Sequence, residues 1–133
     1  MKIICDTHVP IFFQDAPDRL SELARKTFEQ GIGEGCLALA DISLWEIAML
    51  FARGRLNAQA PTTPTEYIRD LIVGYGMEIL PITPDIAVTA QAHSFTHGDP
   101  ADRLIGATAM VHKAPLLTID DKLRAIPGLE TIW

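Results

Sequence analysis

The residues able to do chemistry in this chain are its acids. Asp6 follows the apolar run "KIIC", Glu46 lies in "SLWEIAMLF", Asp99 and Asp102 open "DPADRLIGATA", and Asp120 follows "PLLTI". Carboxylates about 4 Å apart repel by ~4 kcal/mol at an effective dielectric of about 20. They all stay ionised at neutral pH only beside a compensating cation. If the fold gathers these five acids, it implies a bound cation, and carboxylates with water suit Mg2+ or Mn2+, hard ions that prefer oxygen. Zinc is disfavoured because neither histidine nor cysteine is read as standing in the right places, Cys5 and Cys36 preceding the acids as strand residues.

Each acid also has a purely structural reading. Ser43-x-x-Glu46 matches a capping box, in which the serine accepts from the backbone N–H at Glu46 and the glutamate reaches back to the serine N–H. Asp99-Pro-Ala-Asp102 is nearly another, and Asp6 and Asp120 suit turn or N-cap positions. Singly, each is more simply a cap than a catalyst. Their joint placement decides between the two.

That placement follows from the elements. Short apolar runs bounded by turn or helix-start residues read as buried strands at Lys2–Cys5, Cys36–Ala40, Met77–Leu80 and Pro115–Thr118, with a fifth at Glu130–Trp133. Helices are expected over Asp18–Gln30, stopping at Gly31, and over Ser43–Arg53, stopping at Gly54. Three more start at Thr63-Pro64, Thr83-Pro84 and Asp99-Pro100, each a cap followed by proline. Alternating strands and helices predict a three-layer α/β/α fold around a mainly parallel sheet of four to five strands. Ligands bind beyond the carboxyl ends of such strands, where Asp6, Glu46 and Asp120 should lie. Asp99 and Asp102 reach the same edge only if their helix points its N-terminus that way.

Composition narrows the class. At 133 residues, 48% apolar and 21% charged, the chain reads as one globular domain spanning 1–133. "NAQAPTTPTEY" is then a loop within it. The net charge of −6 gives no general attraction for phosphate backbones, so any nucleic-acid contact must be local. Two cysteines without C-x-x-C spacing, read as buried small apolar residues, fit a reduced setting. "MKIICD" is too short for a signal-peptide core, and no run approaches the roughly 18 apolar residues of a membrane span. A cytoplasmic protein is expected.

Taken in order, "IICDTH", "SLWEIA", "HGDPADRLIGATA" and "LLTIDDKL" resemble the PIN-domain ribonucleases, and more narrowly the toxins of VapBC-type toxin–antitoxin pairs, over residues 2 to 132. The resemblance places an acidic catalytic and metal-binding quartet on Asp6, Glu46, Asp102 and Asp120, with Asp99 as an extra acid and Thr7 and Thr118 at hydroxyl positions. It implies an endoribonuclease using Mg2+, with Mn2+ possible, in which Asp99 or Asp102 orients the attacking water. Three departures stand out: Pro10 should delay or kink the first helix, Cys5 replaces an aliphatic residue, and Asp41 either adds charge near the site or faces solvent.

Around the acids, Arg103 reads first as an ion-pair partner of Asp99 four residues earlier, and His97 as structural or as a hydrogen-bond donor near the site. His8, His93 and His112 read as structural. Arg53, Arg55, Lys122 and Arg124 are ordinary surface charges with a secondary reading as RNA contacts. The helix "LWEIAMLF" is apolar almost all round and reads mostly as core. A positive mean hydropathy nevertheless leaves apolar surface for partners. The expected partners are an RNA substrate, a second copy in a homodimer and a cognate antitoxin. Alternatives are a catalytically silent PIN-like binding module and a phospho-receiver-like domain, the latter weakened because "MEILPITPD" offers only Asp85, inside a helix start. A haloacid-dehalogenase-like phosphatase would need an acid where His8 stands.

Overall fold

The computed structural model describes residues 1–56, 61–92, 94–95 and 98–133. Its strands are β1 (Ile3–Cys5), β2 (Leu37–Ala40), β3 (Glu78–Leu80), β4 (Leu116–Leu117) and β5 (Thr131–Ile132). They alternate with α1 (His8–Asp15), α2 (Glu22–Glu34), α3 (Ile42–Ala52), α4 (Pro64–Gly74), α5 (Pro84–Thr89), α6 (Pro100–Val111) and α7 (Asp121–Arg124). All strand pairings are parallel, in the order β3-β2-β1-β4-β5. Each strand lies inside the run expected from sequence.

Side chains alternate across the pleat, so the two faces of the sheet bury different sets. Ile3, Cys5, Leu37, Leu39 and Leu117 pack with Val9, Phe12, Ala24 and Phe28 of α1 and α2. Ile4, Ala38, Ala40 and Leu116 pack with Ile86, Ile105, Ala107 and Leu123 of α5, α6 and α7. The sheet is therefore the middle of three layers, as the alternation of strands and helices predicts. A smaller cluster of Ile11, Ile47, Tyr67 and Leu71 joins α1, α3 and α4. The three helix starts marked by proline form as expected, with Thr63, Thr83 and Asp99 each accepting a backbone N–H of the first turn.

Several local expectations are corrected. The second helix does not span Asp18–Gln30: Pro17–Arg19 form a separate 3-10 turn, and α2 begins after Ser21, whose hydroxyl accepts from Ala24 N–H. Nor does it stop at Gly31; it ends at Gly35, which takes a left-handed φ of 64°. Gly31 is needed for a different reason. A Cβ there would clash with the Leu37 side chain, so its missing side chain lets α2 approach β2 closely. Pro10 does not delay α1, because it falls in the first turn, where backbone N–H groups have no partner within the helix.

Asp41 neither joins the acidic group nor faces solvent freely. Its Oδ2 accepts from Ile82 N–H at 3.1 Å, while Oδ1 is buried without a hydrogen bond among the described residues. Cys36 is only half-buried, unlike Cys5. The apolar helix α3 is less of a core element than its sequence suggests: only Ser43 and Ile47 are buried, and Trp45 is 60% exposed. Among the described residues no helix is long and apolar enough to cross a membrane.

The Gly31 contact predicts a change of sign. Gly31→Ala should destabilise the protein by about 1–3 kcal/mol through overpacking. In a Leu37→Ala background, where the space is open, it should be neutral or stabilising by up to ~1 kcal/mol through helix propensity. Chemical denaturation of the four proteins checks this, and an equal cost in both backgrounds would refute it.

Candidate active site

The strand order sets where the acids can meet. The chain builds β2 and β3 on one side of β1 and β4 and β5 on the other, so the connections diverge at β1 and β4. A crevice beyond the carboxyl ends of those strands is the expected ligand position. Asp6 lies there, its N–H donating to Leu117 O at 2.9 Å. Thr118 Oγ1 donates to Asp6 Oδ2 at 2.6 Å, and Thr7 N–H donates to Oδ1 at 2.8 Å. Both carboxylate oxygens are thus held from the two diverging strands.

Thr7 also fixes the second acid. Its Oγ1 donates to Glu46 Oε1 at 2.5 Å and lies 2.9 Å from Ser43 Oγ. The expected Ser43–Glu46 capping box is therefore absent. The helix starts at Ile42, ahead of where that box requires, so Ser43 is buried inside it and Glu46 sits in its second turn.

Helix α6 points its N-terminus at the same edge, which settles the orientation of Asp99 and Asp102. One carboxylate oxygen each from Glu46, Asp99 and Asp102 lies within 4.8 Å of the others. Asp99 is also the α6 cap, accepting from Ala101 N–H at 2.9 Å. Asp120 Oδ1 accepts from Lys122 and Leu123 N–H at 2.9 and 3.0 Å, capping α7, and its own N–H donates to Thr118 Oγ1 at 3.0 Å. For Asp99 and Asp120, capping and lining the site are not alternatives. All five acids line one cavity of about 330 Å³, whose wall also includes His8, Phe12, Arg19, Ile119 and Trp133.

Burial dominates the electrostatics. It raises the Asp6 pKa above the ordinary carboxylate value, against the lowering effect of the Thr118 and Thr7 hydrogen bonds and of His8, and Asp120 raises it further. Glu46 is likewise raised by burial, with the Thr7 hydrogen bond opposing and Asp6 and Asp99 adding to the rise. His8 is lowered by burial, partly offset by Asp6. An all-oxygen donor set, crowded and partly desolvated, is one a hard divalent cation fits.

Other expectations fare unevenly. Arg103 is not turned toward Asp99: its Nε donates to Ala90 O at 2.9 Å and its terminal nitrogen to Gln91 Oε1 at 3.1 Å, tying α6 to the end of α5. Arg53, Lys122 and Arg124 do not line the cavity, whereas Arg55 lines a neighbouring one. His112 ends α6, remote from its N-terminal acids. His93 and His97 lie outside the described residues. They stand four apart in "HSFTH", a spacing also found in zinc sites, so histidine spacing does not exclude zinc. Sequence reasoning missed Arg19 and Trp133 as wall residues. Nothing in "PDRL" or the terminal "TIW" signals that the fold brings them to the wall of this cavity.

Comparison with known proteins agrees with this fold. The family model described as PIN domain matches residues 3–129. The chain is 36% identical over 134 residues to Ribonuclease VapC22 of Mycobacterium tuberculosis, covering 98% of each chain. Among solved structures, it is similar in fold to VapBC of Salmonella typhimurium bound to DNA, with a TM-score of 0.70, 20% identity and coverage of 99% of this chain and 97% of the other. It is also similar to VapBC2 of Rickettsia felis bound to a promoter DNA fragment, with a TM-score of 0.69, 16% identity and coverage of 99% and 98%. A parallel sheet with acids gathered where its strands diverge, matched by the family model over nearly its whole length, makes this chain a member of the PIN domain family.

Proposed function

We propose that the chain is a metal-dependent endoribonuclease that hydrolyses RNA phosphodiester bonds and acts as the toxin of a toxin–antitoxin pair. The observation that carries this is the convergence of five carboxylates from four separate parts of the sequence on one cavity. The 36% identity to a protein named a ribonuclease supports the reaction class.

In this reading Asp6, Glu46, Asp102 and Asp120 are the catalytic set, and together with Asp99 they would hold Mg2+, or Mn2+. When bound, such an ion supplies Lewis acidity, lowering the pKa of water and drawing charge from phosphoryl oxygens. The chain supplies position. Thr118 and Thr7 fix the Asp6 carboxylate, and Thr7 fixes Glu46. A carboxylate of Asp99 or Asp102, one helical turn apart at the start of α6, orients the attacking water and accepts its proton.

The partner reading rests on α3. Its half-covered apolar side chains and the exposed Trp45 suit a protein interface, here a homodimer whose groove accepts a segment of a cognate antitoxin. The similar solved structures include one described as a toxin–antitoxin complex, from Klebsiella pneumoniae.

Three outcomes are expected. Purified protein should cut RNA in Mg2+ and stop on chelation, and Asp6→Asn and Asp102→Asn should each lower the rate by about two orders of magnitude or more while remaining folded. Gel assays with circular-dichroism controls check this; cutting that persists in the variants would assign it to another site or a contaminant.

The second outcome concerns pH. Because the folded pKa values of Asp6 and Glu46 are raised, the folded metal-free protein holds protons that the unfolded chain has released. Their contribution to stability is complete below the ordinary carboxylate range and is lost as pH rises through the folded values. Asp6→Asn should flatten that fall, and Mg2+ at 100 times its dissociation constant should restore about 2.7 kcal/mol at neutral pH. Denaturation followed across pH, with and without Mg2+, measures both effects.

Third, Thr7→Val leaves Ser43 and Glu46 without their shared partner and should cost about 1–3 kcal/mol. Thr7→Ser should keep most of both stability and activity. Equal losses in the two variants would mean that the hydroxyl is not what matters.

A further inference from the structure

A second cavity of about 260 Å³ adjoins the first, and the two share His8, Phe12 and Arg19 as walls. Phe12 is buried in the core, yet its ring carries both of the others. The Arg19 guanidinium carbon lies over it, 4.3 Å from the centroid, and the His8 ring centre is 5.5 Å away. Arg19 belongs to the exposed 3-10 turn between α1 and α2. Among the described residues that line the carboxylate cavity, it is the only lysine or arginine. Beyond it, Ile11, Leu50 and Leu56 give the second cavity an apolar lining, and Arg55 adds a second guanidinium. Asp15, the acid on this wall, accepts from Tyr67 OH at 2.6 Å.

This arrangement meets a need that the acidic site creates. A strand whose scissile phosphate lies over five carboxylates requires cations for its flanking phosphates, and net charge supplies none. A planar guanidinium lying over an aromatic ring is well suited to accept a phosphate or a stacked base on its outer side.

We propose that the second cavity is a nucleotide subsite. Single-stranded RNA runs from the carboxylate cavity across Arg19, which binds the phosphate joining the two, and the next base rests on the lining of Ile11, Phe12 and Leu50, with Arg55 at the following phosphate. The proposal deepens the ribonuclease reading and rests on it. A nucleotide is favoured over a peptide occupant by the walls shared with the carboxylate cavity and by two guanidinium groups beside an apolar lining. Arg19 and Arg55 are substrate-positioning residues and take no part in the chemical step.

The test separates binding from cleavage. Arg19→Ala should raise KM for a single-stranded RNA about tenfold, with kcat changed less than about twofold, and Arg19→Lys should fall between. Fluorescence anisotropy of a labelled single-stranded RNA, measured in an Asp6→Asn background where the strand is held but not cut, should show a matching loss of affinity. The slope of log affinity against log salt should flatten by about 0.7 for each guanidinium removed. Both arginines are replaced singly and together, with thermal unfolding as the folding control.

If the unaltered protein cuts RNA but neither replacement moves KM, affinity or salt slope, the subsite is wrong and the nuclease reading stands. If it cuts nothing but both replacements weaken RNA binding, the subsite stands and the nuclease reading falls. If the double replacement spares RNA binding and abolishes self-association in sedimentation, the cavity is a protein interface and the proposal is overturned.

Discussion

The constraint on which the candidate site depends is the gathering of five carboxylates in one cavity beyond the ends of β1 and β4. Like charges so close are tolerable only if something else holds them. The fold provides this with hydroxyls from within its own core. Among the described residues the buried polar side chains are Thr7, Ser43, Thr108 and Thr118, and all but Thr108 belong to the net around Asp6 and Glu46. Thr108 bonds its own helix at Leu104 O. The polar groups taken out of water are therefore concentrated where they hold acids in place.

Helix N-termini supply the second counterweight. Asp99 and Asp120 accept backbone N–H groups at the starts of α6 and α7, where the positive end of the helix dipole favours negative charge. A structural cap and a candidate metal ligand are here the same side chain. For Glu46 the two roles separate, because Thr7 takes the place of the capping partner that the sequence pattern offers. The site is thus assembled from local capping chemistry and one long-range hydroxyl bridge.

Phe12 links the packing of the sheet to the outer wall of the site. One part of it is fixed in the core formed by α1, α2 and the sheet, and its ring supports Arg19 and His8 at the boundary of two cavities. Helix α3, which gives Glu46 to one cavity and Leu50 to the other, leaves apolar side chains half-covered, although its sequence is apolar enough for a fully buried helix. The helix packs against α4, α6 and β2, which is enough to fix its position but not to enclose it.

The sequence by itself determined the strands, the proline-marked helix starts and the acids themselves, because these depend on local chemistry: apolar runs, fixed proline dihedrals and cap residues act over a few positions. The alternation of elements carried the layer arrangement with it. Tertiary structure alone decided what touches what at long range. Gly31 reads as a stop until Leu37 is seen against it, Ser43-x-x-Glu46 reads as a box until Thr7 bridges from 36 and 39 residues away, and Arg103 reads as a partner of Asp99 until α5 draws it aside. Arg19 gave no sign of its place on the wall of the carboxylate cavity, where its guanidinium lies over Phe12. Contacts of this kind are set by the shape and register of packed elements, which no short window of residues encodes.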